Sequence, residues 1–61
     1  MIMNDFEMEM ILLELNELED ILTVSRLLAI RKIKNGDRSG ADEMLSDAVR
    51  AIESIRGRFF T

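Results

Sequence analysis

An all-α fold, an antiparallel hairpin of two helices, is predicted by three observations. Apolar residues recur at helical spacing through two long segments, about 5–34 and about 41–59. No Pro occurs anywhere, so nothing breaks either segment. Between them lies one short polar stretch, Asn-Gly-Asp-Arg-Ser-Gly at 35–40, and connections this short make the flanking helices antiparallel neighbours. The three together describe a single domain over 1–61.

Helix 1 starts with a cap. Asn4 is placed to accept from the backbone N–H of Glu7, and Asp5, Glu7 and Glu9 put negative charge where the helix dipole favours it. At the other end Arg31, Lys32 and Lys34 complement the dipole, and Asn35-Gly36 ends the helix because Gly enters the left-handed region without penalty. For helix 2, Ser39 reads as the cap, with Asp42 and Glu43 in the first turn. The expected inner seam is Ile11, Leu15, Leu18, Leu22, Ser25 and Ala29 against Ala41, Leu45, Ala48, Ile52, Ile55 and Phe59.

Helix 2 then has one apolar face and one wet face. Helix 1 does not. Met10, Leu13, Val24, Leu27 and Ile30 fall outside its seam, and a helix apolar around much of its circumference is normally buried around much of it. Helix 1 is also longer than its partner, so its Met-rich start, from Met1 and Met3 through Phe6, Met8 and Met10, overhangs. Met is adaptable and recurs on binding surfaces. The expected interface is therefore Met3, Phe6, Met10, Leu13, Val24 and Leu27.

Size points the same way. A chain of 61 residues is marginal alone and usually needs disulfides, metal or oligomerisation. It has no Cys and no His, which removes disulfides, thiolate sites and the commonest metal ligand. That leaves assembly: a homodimer forming a four-helix bundle, another protein, or both. No apolar run approaches the roughly 20 residues of a membrane span, and the N-terminus carries acids where a signal peptide carries bases. The expected setting is cytoplasmic, with no membrane partner.

Charge is segregated along helix 1. Residues 5–20 carry seven acids and no base, whereas 21–38 carry a net charge of +4. Two copies laid antiparallel would match acid with base, and laid parallel they would repel. The whole chain has a net charge of −4.

Chemistry finds no foothold. Glu14, Glu17, Glu19 and Asp20 cluster, but helical carboxylate sites add His three residues after a Glu, so these acids read as a solvated face. Ser25, Ser39, Ser46 and Ser54 have no His to activate them. The 35–40 segment lacks the spacing and Lys of a phosphate loop. No enzyme activity, cofactor or metal is expected. A basic group, Arg31, Lys32, Lys34 and Arg38, offers nucleic-acid contact as the alternative, though no aromatic accompanies it. In the converse alternative, the acidic stretch imitates a nucleic-acid backbone and blocks a basic cleft.

The hairpin plan resembles the small RNA-binding plasmid copy-number regulators that dimerise into four-helix bundles. It is also similar to the co-chaperones of type III secretion needle subunits, whose second helix carries an Ala-x-Glu-like segment after a Gly turn; compare Gly36 and Ala51-Ile52-Glu53. In style it resembles phage-encoded inhibitors, which are often short, acidic and Cys-free. These resemblances imply a non-enzymatic interaction module: a small adaptor, co-chaperone or inhibitor.

Overall fold

Two helices pack against each other along one line of contact: α1, Asp5–Lys34, and α2, Arg38–Phe59. The structure is a computed structural model and describes residues 3–60. Met1 therefore lies outside the described residues. At 1.5 Å per residue α1 is about 45 Å long and α2 about 33 Å, so α1 outruns its partner by about 12 Å. The molecule measures 48 × 18 × 10 Å.

Both ends of α1 follow from their capping residues. The Glu7 amide donates to Asn4 Oδ1 at 2.7 Å. At the other end Gly36 has φ +75°, its amide donates to the Ile33 carbonyl at 2.9 Å, and the Asp37 amide donates to the Lys32 carbonyl at 2.8 Å. This pair of bonds is the Schellman arrangement, which satisfies carbonyls the helix end would otherwise leave unpaired.

The start of α2 differs from the expectation of Ala41 with Ser39 as its cap. Asp37 is the cap, and its Oδ1 accepts from the Gly40 amide at 2.8 Å. The turn shrinks to 35–37, because Asp37 both ends α1 and begins α2. Its other carboxylate oxygen lies 3.8 Å from Lys32 Nζ. Gly40 is buried inside the first turn of α2, and a Cβ there would lie 2.8 Å from Asp37 Cγ and 2.9 Å from Lys32 Cδ. Close approach at the turn is the reason for a glycine at 40.

Gly57 has no such reason. The helix runs through it to Phe59, and a Cβ there meets nothing within 4 Å. Gly57→Ala is expected to stabilise the hairpin by about 0.5–1 kcal/mol through helix propensity. Denaturant titration checks this, with a raised midpoint at unchanged slope as the expected result.

The seam is built from small residues. Buried are Ile11, Ser25 and Ala29 of α1 and Gly40, Ala41, Ala48 and Ile55 of α2. Leu18, Met44, Ala51, Ile52 and Phe59 are half-buried beside them. Leu15, Leu22 and Leu45, expected in the seam, are instead exposed at 41%, 39% and 52%. The physical reason is closeness. Ser25, Ala29, Ala41 and Ala48 let the two backbones approach, and the leucines flanking that line are turned outward past it. Among the described residues no large side chain is fully buried.

Candidate protein interaction surface

The α2 end sets what α1 leaves uncovered. Arg58 forms a bidentate pair with Glu14, donating at 3.1 and 3.0 Å to its two carboxylate oxygens. Ile11, one turn further, is buried and Met10 half-buried. Among the described residues the overhang is therefore 3–10. On it Met3 and Met8 are exposed and Phe6 is 72% exposed.

The broad sides of the hairpin differ. On one, an apolar groove of about 580 Å³ is lined by Arg26, Ile30, Ile33, Lys34, Arg38 and Leu45 among others. Steps of 100° per residue carry this side along α1 through Leu22, Leu15 and Leu12, and along α2 to Val49. All of these apolar residues are exposed. An apolar stripe thus runs along both helices on this side, with Glu19 and Arg26 set into it on α1 and Lys34, Arg38 and Asp42 also bordering the groove. On the opposite side a smaller hollow is lined by Asp20, Ile21, Val24, Leu28, Met44 and Asp47, and acids punctuate it.

The expected interface falls on this second side and the tip. Phe6, Leu13, Val24 and Leu27 are exposed as expected and Met10 half-covered. Met3 precedes α1, the others belong to α1, and none comes from α2. The first side, with Leu15, Leu22 and Leu45, is what sequence reasoning missed. A leucine heptad reads as the inner seam, and that reading withdraws those residues from the surface. The signal that could have found them is the run of small residues Ser25, Ala29, Ala41 and Ala48, which marks the true line of closest approach.

The basic group is divided, with two of its four members at one groove. Lys32 is paired with Asp37, Lys34 and Arg38 border the apolar groove, and Arg31 lies exposed on a different side of α1. Among the acids, Glu14 is held by Arg58. Among the described residues no group of three or more acids, His or Cys is placed to hold a metal ion, and no helix is long and apolar enough to cross a membrane.

No protein-family model, curated protein or solved structure matches this chain.

Proposed function

We propose that the protein is a non-enzymatic interaction module that works through the exposed apolar surface of α1, with a second copy of itself as the first occupant. The product is a four-helix bundle. One observation carries the reading. A compact chain of this mass exposes about 4000 Å², whereas this one exposes 5051 Å². The surplus is comparable to the roughly 800 Å² that each partner contributes to a standard stable interface. Its source is the elongated shape: the radius of gyration is 14.6 Å, against about 10.5 Å for a compact domain of this length.

Sedimentation across a concentration series tests the proposal. A dimer at micromolar concentration is the expected result, and a folded monomer throughout that range would overturn it.

The tip and second side, with Met3, Phe6, Met10, Leu13, Val24 and Leu27, remain for a different protein, in the manner of an adaptor or inhibitor. What supports this is reach: α1 extends about 12 Å beyond α2, so a copy packed on the hairpin body leaves Phe6 uncovered. Phe6→Ala is accordingly expected to leave the dimer's dissociation constant within about twofold of the parent, since a contact outside the interface contributes nothing to it. A loss of dimer in that variant would place the tip inside the self-interface.

A further inference from the structure

The exposed stripe of α1 on its apolar side is palindromic. Counting outward from the point midway between Leu22 and Thr23, Leu15 mirrors Ile30 and Leu12 mirrors Ile33. Glu19 mirrors Arg26. Leu22, beside the centre, mirrors Thr23; the outer steps join apolar to apolar, and the one charged step joins an acid to a base. We propose that α1 packs antiparallel on α1 of a second copy, with a two-fold axis beside Leu22, and that Glu19 of each copy pairs with Arg26 of the other. The inference deepens the self-association proposed above and rests on it.

Symmetry is the physical reason for the pattern. In a two-fold interface, if residue i touches residue j of the other copy, then j touches i. An antiparallel pair of identical helices obeys this whatever its sequence, and the mirrored contacts are favourable when apolar residues mirror apolar ones and acids mirror bases. Phase around the helix agrees. By steps of 100° the stripe centres about 90° around α1 from the buried seam, which is the angle a square bundle needs between its two neighbours. α2 is in place too. The ties Glu14–Arg58 and Lys32–Asp37 set Ala48 and Val49 level with the proposed axis, and exposed Val49 lies on the same side.

Among the described residues neither Glu19 nor Arg26 has an ion-pair partner. The ion pairs among the described residues join Lys32 to Asp37, Arg50 to Asp47, Arg56 to Glu53 and Arg58 to Glu14. Glu19 and Arg26 stand about 10.5 Å apart along one helix, beyond the three- or four-residue spacing of an intrahelical pair.

Charge reversal tests the register. Glu19→Arg and Arg26→Glu, each alone, set like charges against each other twice per dimer, and each is expected to raise the dissociation constant about tenfold at low salt. The double variant restores both pairs and is expected to return within about threefold of the parent. A mixture of the two single variants, whose cross-pairs are all complementary, is expected to associate more tightly than either alone. Circular dichroism at matched concentration verifies that the exposed substitutions leave the helices intact. A parent dimer whose double variant is as weak as the single ones would overturn this register while leaving self-association standing. A parent that stays monomeric would overturn both.

Discussion

Replacing Ile55 by Asp is expected to abolish the folded hairpin. Ile55 is buried on the seam of α2 and is one of the few large side chains that the seam covers. A carboxylate in its place would lose water and gain no partner, a cost of several kcal/mol. A domain of this size has on the order of 3–9 kcal/mol in total. Glu53→Ala is the matched control: its pair with Arg56 is exposed, and such pairs contribute about 0–1 kcal/mol. Far-ultraviolet circular dichroism and thermal melting read both. Equal melting temperatures would mean that the seam runs along a different line of α2.

Leu22→Asp is expected to abolish assembly. Two copies of Leu22 flank the proposed two-fold axis, and burying a leucine contributes about 1.5–3 kcal/mol. Losing both, at 1.4 kcal/mol per factor of ten, weakens the dimer by two to four decades. Two carboxylates facing each other add repulsion. Light scattering or sedimentation measures the loss. Leu13→Asp, on the other side of α1, is the control expected to leave the dimer in place. Loss of assembly in the Leu13 variant with retention in the Leu22 variant would exchange the roles of the two sides.

The helices were legible because their ends are written in side chains with local jobs. Asn4, Asn35 and Gly36 act within four residues of themselves, so reading them needs no knowledge of the partner helix. The start of α2 was harder, since Asp37 and Ser39 are both good caps and Gly40 reads as loop. What decides is a tertiary contact: Gly40 packs against Asp37 and Lys32, which a one-dimensional reading does not contain. The seam was legible at Ile11, Ser25, Ala29, Ala41, Ala48 and Ile55 and misread at Leu15, Leu22 and Leu45. Heptad reasoning assigns the largest residues to the closest contact. In a lone pair of helices the closest contact takes the smallest ones, and the large residues face whatever comes next. The surplus of apolar surface on α1 was plain from composition. Which side it favours required the seam to be placed first.

The three-residue turn at 35–37 also sets the order in which the molecule opens. Contacts between the helices begin five residues apart, at Lys32 and Asp37, and end 44 residues apart, at Glu14 and Arg58. Closing the far end from an open chain costs about 2 kcal/mol more entropy than closing the near end. The hairpin therefore zips from its turn and unzips from its tip. Amide protons near Ala29 and Ala41 are expected to exchange last and those near Ile11 and Ile55 sooner, and trypsin is expected to cut at Arg56 and Arg58 before any other helical site. The residues nearest the overhang are thus the ones released first. A ligand that grips the tip acts on the end of the molecule where the least structure has to be undone.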